Sequence, residues 1–148
     1  MSDLYERDFY AWANEQAALL RAGLLSAADI ANIAEEIESM GRSEKRELVN
    51  RLAVLLTHLL KWQFQPGLRG NSWRLTIREQ RIRLKNHIKD NPSLKAVVED
   101  ATHDAYEIAL VEAELETGLA ESTFPAECPW SFDQAMDAGF WPEHGTAW

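Results

Sequence analysis

The sequence predicts an all-α protein, a helical bundle of about five helices with a short C-terminal helix and an aromatic tail. Three observations carry this. Apolar residues recur at helical spacing along nearly the whole chain. No Asn-Gly or Asp-Gly pair stands between alternating apolar residues, so no hairpin is indicated. Helix-stopping residues at Gly23, Gly41, Pro66, Pro92 and Gly118 divide the chain into helix-length pieces.

The first helix is expected from about Leu4 to Ala22, with Tyr5, Phe9, Trp12, Gln16, Leu19 and Leu20 on one stripe and Gly23 as its stop. Ser26-Ala27-Ala28-Asp29 is close to a capping box. It opens a second helix striped with Ile30, Ile33, Ile37 and Met40, which Gly41 ends or bends. The third, from near Ser43, is the most apolar, with Leu48, Leu52, Leu55, Leu56, Leu59 and Trp62. The fourth begins after Asn71 or Ser72 and carries Trp73, Ile77, Leu84 and Ile88 on one face. Ser93 is placed to N-cap a fifth helix bearing Leu94, Val98, Ala101, Ala105, Ile108 and Leu115, up to Gly118. Breaks this short favour antiparallel neighbours.

From Leu119 the character changes. The segment holds three of the five prolines, together with Phe124, Trp130, Phe132, Phe140, Trp141 and Trp148. Ser131-Phe132-Asp133-Gln134 is a capping box for one short helix. The aromatic tail is expected to pack back over the bundle, because exposed Trp forfeits a large apolar burial. The alternative is an aromatic surface for a partner.

A chain of 148 residues is the ordinary size of one domain, so residues 1–148 are read as a single domain with residues 119–148 as its tail. By size scaling, folding buries roughly two-thirds of the chain's surface, enough for a core without metal or disulfide staples. The one cysteine, Cys128, excludes an internal disulfide, and no zinc-ligand spacing is present. Glu127 beside it does not favour a thiolate nucleophile. The N-terminal residues lack a signal-peptide pattern and no apolar run is long enough to span a bilayer, so a cytoplasmic location away from membranes is expected.

Net charge is −9 and uneven. Residues 69–89 carry seven Lys/Arg against the single acid Glu79, a local +6, leaving −15 for the rest. Nucleic acid is therefore not the expected partner of the whole molecule, although one basic helix can still be a local site.

Several segments together resemble a known family. They are Tyr5-Glu6-Arg7-Asp8-Phe9-Tyr10-Ala11-Trp12, Glu35-Glu36-Ile37-Glu38-Ser39-Met40-Gly41-Arg42-Ser43-Glu44 and His58 through Pro66. Ser72 through Ile77, Asp90-Asn91-Pro92-Ser93-Leu94 and the closing Phe124-Pro125 to Phe140-Trp141-Pro142 complete the set. The chain resembles the uncharacterised bacterial family catalogued as domain of unknown function 29. The resemblance implies an all-helical fold and carries no activity or active site with it.

Some residues are not explained by packing. Glu112 interrupts the fifth stripe between Ala105, Ile108 and Leu115, either at a paired or cavity position or where the helix outruns its neighbours into water; the second reading is favoured. Gln80 and His87 lie on the seam of the fourth helix, where a core hydrogen bond or a register role is favoured over catalysis. With Gln16 they form a candidate buried polar network: Gln16, Gln80, His87 and Glu112.

His58, Lys61 and Trp62 group on the third helix, where a histidine can act as base or ligand. At the following corner, Arg69, Trp73 and Arg74 stand beside a glycine-containing loop and a helix N-terminus, an arrangement suited to an anion. An internal partner from Glu35, Glu36, Glu38 or the acidic fifth helix is the favoured occupant. The basic run Arg78, Arg81, Arg83, Lys85 and Lys89 reads as a solvated or ion-paired face. Asp100-x-x-His103 has di-metal spacing, but His103 points away from the apolar stripe. No metal and no cofactor are expected.

No hydrolase, P-loop or dinucleotide signature is present, so the reading leans away from an enzyme. The leading expectation is a helical interaction module that binds another protein or a second copy of itself through the aromatic tail or the fourth helix. The alternatives are a small-molecule or anion binder, or an enzyme, with a pocket near His58, Trp62, Trp73 and Arg74, and nucleic-acid binding through the fourth helix.

Overall fold

The computed structural model describes residues 3–143. Every regular element among them is helical: α1 (Leu4–Arg7), α2 (Phe9–Arg21), α3 (Ile30–Phe64), α4 (Asn71–Asp90), α5 (Val98–Thr117) and α6 (Phe132–Met136). Single-turn or short 3-10 segments at Leu25–Ala27, Pro66–Leu68, Pro92–Val97 and Glu121–Thr123 join them. The all-α bundle is thus what the chain forms. Among the described residues no helix is long and apolar enough to cross a membrane. Two compact units are distinguished, Met1–Ser43 and Glu44–Trp148.

Three expected boundaries are corrected. The first helix breaks at Asp8, whose backbone leaves the helical region (φ −150°, ψ 86°) and whose carboxylate accepts from Ala11 N at 3.1 Å, capping α2. The second and third helices are one helix of 35 residues that runs through Gly41. A single glycine costs a helix only about 1 kcal/mol against alanine, and no proline lies in the stretch. Arg42 also spans back to Glu35 at 2.9 Å, stitching the turns around the glycine. Ser93 does not cap α5, because Pro92–Val97 forms a 3-10 segment first and α5 starts at Val98.

In the first unit, Trp12 and Gln16 of α2 are buried and reach Asp29, the residue before α3. Trp12 Nε1 donates to Asp29 Oδ2 at 3.1 Å, and Asp29 N donates to Gln16 Oε1 at 2.7 Å. Asn32 Nδ2 adds a second bond to Oδ2 at 2.8 Å. Tyr5 Oη donates to Glu36 Oε1 at 2.7 Å, and the rings of Tyr5, Phe9 and Trp12 touch in turn. The expected stripe of the second helix is not core: Ile30, Ile37 and Met40 are exposed.

In the second unit, α3 supplies six leucines with no exposure: Leu48, Leu52, Leu55, Leu56, Leu59 and Leu60. Ile77, Leu84 and Ile88 of α4 and Leu94 join them. The buried face of α5 is Ala101, Thr102, Ala105, Tyr106, Ala109, Leu110 and Ala113. The expected stripe through Ile108 and Leu115 is corrected, since both are exposed. With α3 filling the volume, small alanines share the buried face of α5 with Tyr106 and Leu110, while Ile108 and Leu115 turn outward. Gly118 closes α5 in the left-handed conformation (φ 74°), which only glycine adopts without strain.

The aromatic tail packs on this core. Phe124, Trp130, Phe132 and Ala135 are buried, and Phe140 and Trp141 pack partly buried against them. Tyr106 Oη donates to the Pro125 carbonyl at 2.6 Å, and Phe124 meets Phe64 edge-on at 5.2 Å. Ser131 caps α6 as its motif predicts, accepting from Gln134 N at 3.1 Å. Trp148 lies outside the described residues.

Candidate binding groove

The sequence-predicted residues do not converge on one site. His58 is half-buried, with Nδ1 donating to the Val54 carbonyl at 2.8 Å, and lines a small concavity of about 320 Å³ with Glu112 and Glu116. Burial holds its pKa below the ordinary histidine value, the Val54 carbonyl opposing and Lys61 reinforcing that shift. Lys61 is buried, pairs with Glu116 at 2.9 Å and sits 4.8 Å from the Trp73 ring. Trp62 packs on Trp141 at 4.6 Å. Arg74 reaches Asn71 Oδ1 at 3.3 Å and lines a different concavity.

Arg69 has an internal partner, but not a carboxylate. Its Nε donates to the Trp62 carbonyl at 2.6 Å and its Nη2 to the Pro142 carbonyl at 3.3 Å, with the guanidinium over the Trp62 ring. Glu35 and Glu36 are engaged instead by Arg42 and Tyr5.

The expected polar network resolves into separate contacts. Gln16 belongs to the Asp29 cluster of the first unit. Gln80 Oε1 is buried without a hydrogen-bond partner among the described residues. Glu112 stands on the rim of the small concavity beside His58. His87 donates from Nε2 to the Glu44 carbonyl at 2.9 Å, with the Glu44 carboxylate 3.5 Å from Nε2 and the Glu47 carboxylate 3.4 Å from Nδ1. Potential metal-ligand atoms of Glu44, Glu47 and His87 lie within 4.8 Å of one another. They bracket the ring from opposite nitrogens, however, which clamps α4 to α3 rather than aiming lone pairs at one point. His103 is exposed and paired with Glu107 at 3.4 Å, away from the core as its position predicts. Cys128 is half-buried, burial pushes its thiol pKa up, and Sγ donates to the Trp130 carbonyl.

What the second unit does build is a groove of about 950 Å³ along α4, closed by the 3-10 segment after it and by the tail. Its apolar floor includes Ile82, Ile88, Pro92, Phe132, Met136 and Trp141. Its polar lining consists of Arg74, Arg78, Arg81, Lys85, Lys89 and Lys95, with no acid among the lining residues. Residues 74, 78, 85 and 89 recur at the three-to-four spacing of one helical face. Arg78, Lys85, Lys89 and Lys95 form no ion pair among the described residues.

Arg81 is the residue that sequence reasoning misplaced. It is 6% exposed, not part of a solvated face. Nε donates to the Ala135 carbonyl and Nη2 to the Phe140 carbonyl, both at 2.8 Å, and the guanidinium lies 5.3 Å from the Trp141 ring. Burial lowers its pKa, with Asp137 the opposing charge. Arg81 thus ties α6 and the tail to α4 and forms one wall of the groove. The signal was present: Ile77, Arg81, Leu84 and Ile88 share one stripe.

Fold and groove define an all-helical protein with a cationic, apolar-floored groove. More particularly, the chain belongs to the family described as Domain of unknown function DUF29, which it matches over residues 4–141 of its 148. No curated protein and no solved structure gives a significant match.

Proposed function

We propose that this protein is a non-enzymatic interaction module whose α4 groove binds an acidic, amphipathic helical segment of a protein. One observation carries the reading: a large groove that joins six cations to an apolar floor without any lining acid. Such a surface binds poorly to a neutral or cationic partner and leaves an apolar patch wet when empty. The cations from Arg74 to Lys89 span about 22 Å at 1.5 Å per residue, a ladder longer than a compact anion needs. The floor asks for apolar side chains in the same ligand, which a phosphate polymer does not offer. The remaining −15 of the chain also repels a polyanion at long range. A reducing, cytoplasmic setting suits the lone thiol Cys128.

The test is fluorescence anisotropy with a labelled synthetic helix carrying glutamates and leucines at helical spacing. Saturable binding is expected, weakening with salt and falling about tenfold or more in Lys85→Glu/Lys89→Glu. Equal binding by a charge-scrambled peptide, or tighter binding of single-stranded DNA or of a small phosphate ester, would overturn the reading.

A further inference from the structure

The chain itself displays a segment of the chemistry the groove calls for. α5 contains no lysine or arginine over its 20 residues. Flanking its buried alanine face, Ile108, Val111 and Leu115 are 41%, 60% and 76% exposed. Their spacing of three and four residues sets them in one stripe. Asp100, Asp104, Glu107 and Glu114 fall beside that stripe by the same geometry. Asp100 and Asp104 form no ion pair among the described residues, and Glu107 touches only the exposed His103. Among the described residues no α5 acid pairs with a groove cation; Glu116, on the other side, is taken by Lys61 of α3.

Resting on the reading of the groove given above, we infer that a second copy of this chain docks the outward face of α5 into the α4 groove. The two surfaces agree in sign, in apolar content and in length. The acids from Asp100 to Glu114 span about 21 Å, against about 22 Å for the cations from Arg74 to Lys89. Each chain offers one groove and one acidic face, so the contact joins unlike surfaces. A two-fold pairing uses both surfaces twice and closes a dimer, whereas any other rotation continues into a ring or an open chain.

Charge exchange tests this on the full-length protein. Sedimentation velocity at low salt is expected to show a mass that rises with concentration and returns to the monomer as salt is added. Lys85→Glu/Lys89→Glu alone and Asp104→Lys/Glu107→Lys alone should each weaken association about tenfold or more. Mixing the two variants re-creates opposite charges at both contacts and should restore association as a one-to-one complex. All four side chains are exposed, and circular dichroism checks that each variant folds. Val111→Ser, which carries no charge, should weaken association without altering either charge ladder.

A monomer at every concentration at low salt overturns the inference, as does a mixture that stays monomeric. If the protein is monomeric yet binds the acidic peptide, self-docking falls and the reading of the groove stands. If it binds neither, both fall.

Discussion

Arg81 shows how one side chain can hold the tail and line the groove together. A guanidinium with two carbonyl acceptors and no bonded carboxylate keeps its charge inside the groove wall. Arg81→Met keeps the length and apolar contact of the side chain but removes the donors, leaving the Ala135 and Phe140 carbonyls without partners. Bonds to a charged donor are worth about 1.5–3 kcal/mol each, so local opening of the tail should become easier by a few kcal/mol. Amide hydrogen exchange over Phe132–Met136 measures it, and unchanged protection there would show that Arg81 does not hold the tail. The stripe position of Arg81 beside Ile77, Leu84 and Ile88 was legible in the sequence, but an arginine among six other basic residues reads as surface, and that outweighed it. Gln80 and His87 were placed on the seam, where a core hydrogen bond was expected, and His87 is buried with one to the Glu44 carbonyl. Their seam positions were legible, but the partners of His87 come from Glu44 and Glu47, some 40 residues earlier, and helical periodicity says nothing about which helix faces which.

At the scale of elements, α3 is the clearest departure from sequence expectation. Gly41 was weighed as a stop or bend because glycine often ends helices by taking the left-handed conformation. Gly118 does take the left-handed conformation, while Gly41 stays helical. A Cβ built at Gly41 meets nothing within 4 Å. Gly41→Ala should therefore stabilise the protein by about 0.5–1 kcal/mol, through lower entropy of the unfolded chain and better helix propensity. Urea denaturation reads this as a raised midpoint with unchanged slope, and a lowered midpoint would show that α3 needs the glycine's freedom. Elements set by local chemistry were readable: α4, the Gly118 stop and the Ser131 cap all follow from residues within one turn. The buried face of α5 was not, since Ala101, Ala105, Ala109 and Ala113 offer less apolar signal than Ile108 and Leu115. The floor of the groove was equally hidden, because Phe132, Met136 and Trp141 reach α4 only through the fold of the tail.

At the scale of the molecule, each compact unit holds a group whose lowered pKa ties its stability to acid pH, Asp29 in the first and His58 in the second. In the first unit the Asp29 carboxyl lies below its usual 3.8, chiefly through the Asn32 side-chain hydrogen bond, with Trp12 assisting and burial opposing. In the second, burial keeps His58 below its usual 6.5. Both shifts have the same sign. The unfolded chain takes up the proton first, so each group's stabilisation is complete above its unfolded pKa and is lost as pH falls through the folded one. The windows are separate: His58 begins to weaken the second unit below about pH 6.5, and Asp29 weakens the first only below about pH 4. Hydrogen exchange during acidification should therefore show faster opening of the second unit's segments around α3 residues 48–60 before that of α2. His58→Asn should flatten the upper window and leave the lower one, and Asp29→Asn should do the reverse. Simultaneous opening of all segments in one step near pH 4 would show that His58 contributes nothing to the acid response.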